Sequence, residues 1–489
     1  MTKSVSFPED FLWGTAMSAF QVEMSRGEID PNSDWFVWVH DKKNIENGLV
    51  SGDLPEDGPE FWELYASDLK MAKEELGNNA IRLSMDWSRI FPTSTTDVPT
   101  RVVFDGHGNL SEVDIGEDGM HLLTERANKN SVKRYREILQ EARKLGLTSM
   151  LTLYHWPLPL WIHDPIACRD DILHATLRGW IDQATIIEFA KYAAFVANTF
   201  GDLVDLYATI NEPRVVSGLG YLLPGVGFPP GIQDLGLFVR ATKNLAIAHG
   251  IAYDQVKKWD NVSTSRFGPA FVGVVYDLQY FVPNDEKNPD DIRVTKFQEY
   301  VWNEWYLNAV FKGDYDTNLN GIVEPNECLP HLVKGCDYLG VNHYSRSKIR
   351  FVEKGGDPRF NFEMVPCEEN CTDMGWEIYP PGIRYAVNWA YEKYRRPIMV
   401  TENGIADAKD TRRKEYLLSY LRELYKAIDE DGVPVKGYFH WSLLDNYEWA
   451  RGFEMRFGLF KVDRETKKRS PTRAVPAYKE IATTNAMTT

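Results

Sequence analysis

Read for the spacing of its apolar positions, the chain alternates between two patterns. Short continuous apolar runs are followed by longer stretches in which apolar residues recur every three or four positions. The first pattern reads as strand and the second as amphipathic helix. Eight runs read as strands: 11–21, 79–87, 148–156, 206–213, 271–278, 336–346, 397–404 and 435–446. Between the second and third, Val132, Tyr135, Ile138, Leu139, Ala142 and Leu145 keep helical spacing, after a cap expected at Asn130 or Ser131. After the third, Ile186, Ile187, Phe189, Ala190, Ala193, Ala194 and Val196 form a broader apolar face suited to packing on a sheet.

Strand–helix alternation over nearly the whole length is the pattern of a βα-repeat fold. No Ser/Gly-rich or Pro-rich linker interrupts it, so residues 1–489 read as one domain. Two long excursions break the rhythm, at 93–128 and 347–390. Both are expected to cover a site at the strand ends, where loops after barrel strands gather.

Two of the strand-like runs end in glutamate. Leu206–Ile210 leads into Asn211-Glu212-Pro213, and Pro397–Val400 into Thr401-Glu402-Asn403-Gly404. Residues this distant in sequence meet only in a fold that collects strand ends at one rim. An α/β fold of a single (β/α)8 TIM barrel, with long loops on its C-terminal face, does so. Two carboxyl groups facing each other there are the equipment for glycoside hydrolysis. Pro213 is expected to hold Glu212 extended and to end its strand. Other predicted strand ends carry Gln21, Arg82, His155, Asn342, Tyr344, Trp441, Glu448 and Trp449. Such a mixture of indole faces with amide, imidazole and carboxylate groups suits a hydroxyl-rich ring.

Composition narrows the partners. A net charge of −16 argues against nucleic acid or an anionic membrane, and 43% hydrophobic with 26% charged residues is ordinary for a globular chain. No apolar stretch reaches the length of a membrane span, and Glu9 and Asp10 precede the first apolar run where a signal peptide would be basic. A cytoplasmic location is expected. The five cysteines form no C-x2-C pairs for zinc. A disulfide between Cys367 and Cys371 is conceivable, with free thiols as the default for such a compartment.

Taken in order, Phe11-Leu12-Trp13-Gly14 through Gln21, Trp87-Ser88-Arg89-Ile90-Phe91-Pro92, Asn211-Glu212-Pro213, Thr401-Glu402-Asn403-Gly404 and Glu448-Trp449 resemble glycoside hydrolase family 1 over essentially the full length. Asp30-Pro31-Asn32-Ser33-Asp34-Trp35 and Trp156-Pro157-Leu158-Pro159-Leu160-Trp161 are similar to its archaeal β-galactosidase/β-glucosidase branch. The resemblance implies a retaining exo-β-glycosidase without a catalytic cofactor, acting on a β-glycoside or short oligosaccharide. It implies Glu212 as acid/base, Glu402 as nucleophile, and Arg82 and Tyr344 as its holders. Asn211 would meet the sugar 2-hydroxyl, with Gln21, His155, Trp441, Glu448 and Trp449 in the sugar site. A homo-oligomer, a tetramer by likeness to archaeal relatives, is expected.

Three rivals are weighed. The first is a 6-phospho-β-glycosidase. The phosphate-reading members of the family resemble one another in carrying serine, lysine and tyrosine after strand eight; the matching positions here hold Glu448, Met455 and Phe457, and Glu448 would repel a phosphate dianion. A non-catalytic sugar-binding protein on the same fold would lack one glutamate, and both are present. A metal-dependent isomerase would need a clustered ligand set that the strand ends do not carry. Whether glucose, galactose or fucose is preferred stays open.

One motif lies outside this resemblance. Residues 316–327 match the EF-hand calcium loop D-x-[DN]-x-[DN]-G-x5-E. Asp316, Asn318, Asn320, the carbonyl of Ile322, Glu324 and Glu327 would be the ligands, with Gly321 at the sharp turn and Val323 packed inward. The expected role is structural. Because Pro330 disfavours a regular exit helix, the unit would be half an EF-hand at most.

Overall fold

A computed structural model describes residues 4–330, 333 and 335–488. Its centre is a closed barrel of eight parallel strands: β1 (Leu12–Ala16), β2 (Ala80–Ser84), β3 (Thr148–Tyr154), β4 (Leu206–Asn211), β5 (Val272–Asp277), β6 (Tyr338–Asn342), β7 (Ile398–Asn403) and β8 (Val435–Trp441). The strands follow one another around the barrel in chain order, and β8 closes on β1 through the rungs Gly437–Leu12 to Trp441–Ala16. Leu12, Ala80, Met150, Leu206, Tyr338, Met399 and Phe439 fill the interior below the rim as one apolar cluster.

Each expected strand is present, and several end earlier than the apolar runs suggest. Run 11–21 leaves the ladder at Ala16, and Gln21 lies on a helical turn, Ala19–Val22. Run 79–87 stops at Ser84 before the helical turn Trp87–Ile90. Run 435–446 stops at Trp441. The residues just beyond these ends are still buried, so apolar character continues after the ladder has stopped.

Around the barrel pack α1 (Lys129–Lys144), α2 (Gln183–Phe200), α3 (Pro213–Tyr221) and α4 (Leu235–Trp259), among other helices. On α1, Tyr135, Ile138, Leu139 and Ala142 are buried as their spacing predicts. Its cap is Asn128, not Asn130 or Ser131: the Asn128 side chain accepts from both of their backbone N–H groups, at 3.0 and 3.2 Å. The helix therefore opens earlier than its apolar face begins. On α2, Ile186, Phe189, Ala190, Ala193 and Ala194 are buried. Removing a ring as buried as Phe189 would cost about 3–5 kcal/mol.

The excursions differ in place. Segment 93–128 contains a hairpin (Arg101–Phe104 with Leu110–Asp114) and a helix (Glu117–Arg126). The hairpin leans on the outer helices and not on the rim. Gln183 accepts from the Leu110 N–H (3.0 Å), Gln255 donates to the Val113 carbonyl (2.7 Å), and Lys258 pairs with Asp114 (2.7 Å). Its alternating apolar positions answer to α2 and α4, which corrects the expectation that it shapes access. Segment 347–390 does border the rim. The strand Arg346–Phe351 joins Tyr280–Pro283 and Phe362–Met364 in a small sheet, and Trp376 reaches the Tyr344 ring (5.4 Å between centroids). Within it Cys367 and Cys371 are disulfide-bonded, their Cα atoms 5.9 Å apart, in place of the free thiols expected. A turn with three residues between the cysteines suffices to set their Cα atoms at that spacing.

Candidate active site

The two glutamates come to one rim, Glu212 just past β4 and Glu402 on β7. Glu402 is held from both sides. Its Oε1 accepts from the Arg82 guanidinium (2.6 Å) and its Oε2 from the Tyr344 hydroxyl (2.6 Å). Arg82 is fully buried and donates further to Asn211 Oδ1 (2.6 Å), Thr152 Oγ1 (3.1 Å) and the Thr401 carbonyl (3.2 Å). Tyr344 is fixed by its own carbonyl, which accepts from the Tyr416 and Tyr420 hydroxyls. Gly404 follows because nothing larger fits. A Cβ there would lie 1.9 Å from the Trp441 carbonyl oxygen, on backbone that cannot give way.

Glu212 has different company. Its Oε1 accepts from the Asn342 amide (2.7 Å), a neutral donor. Burial pushes its carboxyl well above the ordinary range, and the charges of Glu402 and Asp277 push the same way. Its backbone is not extended, as the following proline suggests, but left-handed, with φ 49° and ψ 59°. Pro213 bars the right-handed helical region for the residue before it. The chain must nevertheless turn from β4 straight into α3: Glu212 N–H makes a rung to Val275 O (2.9 Å) while its carbonyl accepts from Val215 and Val216. The left-handed region meets both demands, at the strain a non-glycine residue bears there.

Asn211 ties the carboxyls together, since its Oδ1 accepts from Arg82 and from Asn342 (3.2 Å). Its amide end faces His155 Nε2 (3.2 Å) and must be the donor, so the imidazole accepts there and its hydrogen is on Nδ1. Burial, then the Arg82 charge, pushes His155 well below its usual range, so it is neutral. That Nδ1, buried, has no partner among the described residues. Gln21 donates to Asn446 (3.1 Å), the Tyr447 carbonyl (2.9 Å) and Glu448 Oε2 (3.2 Å). His155 stacks against Trp441 and Trp449, with centroids 5.9 and 6.1 Å apart. Burial and Glu402 push the Glu448 carboxyl up to about 8, against the pull of Gln21. Gln21 thus pairs with Glu448, while His155 joins Asn211 to the Trp441 and Trp449 rings.

The sequence reading missed Asp277 and Trp376. Asp277 ends an apolar strand run, the signal that found the two glutamates. Trp376 lay in an excursion with no periodicity to mark it. At strand eight, Met455 and Phe457 are buried beside Trp441, and Arg451 and Arg456 are exposed.

Loop 316–327 folds as a tight turn with Gly321 at φ 80°. Asp316 accepts from the Gly321 N–H (2.6 Å) and the Tyr300 hydroxyl (2.7 Å), Asn318 from Asn320 N–H, and Asn320 from Ile322 N–H. Glu327 is turned to the N–H groups of Thr317 (2.7 Å) and Glu324 (3.0 Å). Among the described residues no group of three or more His, Cys, Asp or Glu side chains gathers to hold a metal. Val323 is 39% exposed rather than packed inward, because Pro325–Glu327 forms only a short 3-10 turn and offers no helix to cover it.

A parallel barrel with two unlike carboxyls at its C-terminal rim and an amide–indole pocket beside them defines a glycoside-cleaving enzyme. Comparison with known proteins agrees. The sequence profile of Glycosyl hydrolase family 1 matches residues 3–102 and 123–487, leaving out most of the outlying hairpin. The chain is 42% identical to a β-galactosidase of Pyrococcus woesei, covering 99% of this chain and 98% of that one. The β-glycosidase of Thermosphaera aggregans superposes with a TM-score of 0.88 at 38% identity, over 98% of this chain and 97% of its own. A β-glucosidase mutant derived from a hyperthermophilic tetrameric structure gives 0.85 at 40% identity, over 98% and 96%. The chain belongs to glycosyl hydrolase family 1 and is a retaining glycosidase. No helix among the described residues is long and apolar enough to cross a membrane.

Proposed function

We propose that the whole chain is one catalytic unit that removes terminal β-linked glucose- or galactose-type residues by double displacement. Glu402 attacks the anomeric carbon while Glu212 gives its proton to the departing glycosidic oxygen. The bond to the aglycone breaks and an ester to Glu402 forms. Glu212, now a carboxylate, takes a proton from water as that water attacks the same carbon and frees Glu402, so the β configuration returns. The observation that carries this reading is the contrast between the carboxyls: Glu402 lies against a guanidinium and a phenol, Glu212 against a neutral amide. Asn211 would meet the 2-hydroxyl. Gln21, His155 and Glu448 would hold the remaining hydroxyls, with Trp441 and Trp449 against the ring. The two names carried by similar proteins, β-galactosidase and β-glucosidase, support either epimer. No step requires a cofactor.

Proton NMR of the first sugar released tests the stereochemistry. The β anomer is expected, and early α anomer would contradict it. Three finer readings accompany this one. The chain acts in the cytoplasm. It assembles as a homo-oligomer, a tetramer, which its likeness to a protein of tetrameric origin supports. Calcium binds loop 316–327, supported by the loop motif and by three side-chain oxygens drawn into the turn. Binding would require Glu327 to leave Thr317 and Glu324. Calcium should then raise the melting temperature and a chelator lower it; no response in either direction would sink that reading.

A further inference from the structure

A third carboxyl belongs to this rim. The rung from Glu212 N–H to Val275 O (2.9 Å) joins β4 to β5, and Asp277 ends β5 two residues further on. Asp277 is the register partner of Asn342 on β6. Register partners on neighbouring strands point to the same face of a sheet. Asn342 points into the barrel mouth, where it meets Asn211 and Glu212. The 2.7 Å bond from Asn342 to Glu212 therefore crosses the end of β5, and Asp277 lies at the strand position it crosses.

The charges around this point do not balance. Glu212 feels the charges of Asp277, Glu402 and Arg82, and the Arg82 amino groups are committed to Glu402 and Asn211. Asp277 itself is buried, and its neighbours are neutral: its carboxyl accepts from the Gln279 amide (2.7 Å), and the Trp302 indole donates to its backbone carbonyl (3.1 Å). Arg214, packed on the Trp302 and Phe238 rings, is turned to the Val301 carbonyl (3.2 Å). His155 and His343 are neutral through burial, His343 pushed down to about 4. Tyr276 and Tyr344 keep their protons, which burial holds well above the usual phenol range.

We propose that Asp277 is a positioning residue for the acid/base, a negative charge placed under the Glu212–Asn342 bond that holds the catalytic proton on Glu212 until the leaving group takes it. The proposal rests on Glu212 being the acid. Burial, with repulsion from Glu402 and relief from Gln279 and Trp302, pushes Asp277 to about 7. Its charge is thus fullest above neutrality, where it opposes loss of the Glu212 proton.

The test is the alkaline limb of kcat/KM. Asp277→Asn keeps the shape and removes the charge. With an alkyl glycoside, which needs protonation, the limb should move to lower pH by about half a unit or more, an extra loss of about threefold on that limb. Asp277→Glu should restore it in part. Gln279→Leu, on a half-buried residue, leaves Asp277 less ionised and should move the limb the same way, which keeps the test open should Asp277→Asn fail to fold. A dinitrophenyl glycoside needs no proton, and its profile should not move. If Asp277→Asn and Gln279→Leu only lower activity uniformly, or both substrates shift alike, the proposal is overturned. If Glu212→Ala retains the alkyl-glycoside limb, the acid assignment itself is wrong and the proposal falls with it.

Discussion

At the scale of the residue, the site sorts its carboxyls by environment. Glu402 lies between Arg82 and Tyr344, and Glu212 lies in a pocket whose burial keeps it protonated. Glu402→Gly should abolish turnover, and azide should restore part of it with an α-glycosyl azide as product. Glu212→Ala should slow alkyl glycosides by about 10²–10⁴-fold and dinitrophenyl glycosides far less, because only the former need an acid. Glu448 makes a separate prediction. Its folded carboxyl is pushed up to about 8 by burial and Glu402, while the ordinary value is 4.5. Between these values the folded state holds a proton that the unfolded chain has lost. Its contribution to stability is therefore full below about 4.5 and lost as pH rises through 8. Glu448→Gln should gain melting temperature relative to the wild type between pH 5 and pH 9; a constant difference would contradict this. Most of these residues were legible, because a polar group ending an apolar run is conspicuous. Asp277 carries the same signal at the end of its run, but its role depends on which strand lies beside which.

At the scale of the element, the strands were legible and their ends were not. Apolar runs mark burial, and at this rim burial continues after the ladder stops, as it does from Ala16 to Val22. Pro213 was read through its usual effect on the preceding residue, but the turn from β4 into α3 places Glu212 in the left-handed region instead. The outlying hairpin misled for a related reason: length and glycines mark a long loop, not the direction it takes. Gly404 yields the prediction at this scale. Gly404→Ala would drive a methyl group into the Trp441 carbonyl, so β7 and the turn after β8 must separate. Overpacking of this kind costs about 1–3 kcal/mol, with more where backbone is the obstacle. The variant should lose melting temperature and kcat together because Glu402 is two residues away; an unchanged kcat would show that the strand end does not position the carboxylate.

At the scale of the molecule, a closed parallel barrel converts distant sequence positions into one rim. No pair of neighbouring residues could supply the Glu212–Asn342–Asn211–Arg82–Glu402 chain of contacts. That closure could be inferred from eight alternating units, whereas the small sheet over the rim could not, because it depends on where the excursion lands. Light scattering should return an assembly of four chains; a monomer at working concentration would contradict the oligomer reading. The central claim is a covalent glycosyl-enzyme on Glu402. Incubation with a 2-deoxy-2-fluoro-β-glycoside, followed by peptide mass spectrometry, tests it most directly. The account predicts that activity is lost in step with the addition of one fluorosugar to the peptide containing Glu402. Inactivation with the sugar on any other residue would contradict it.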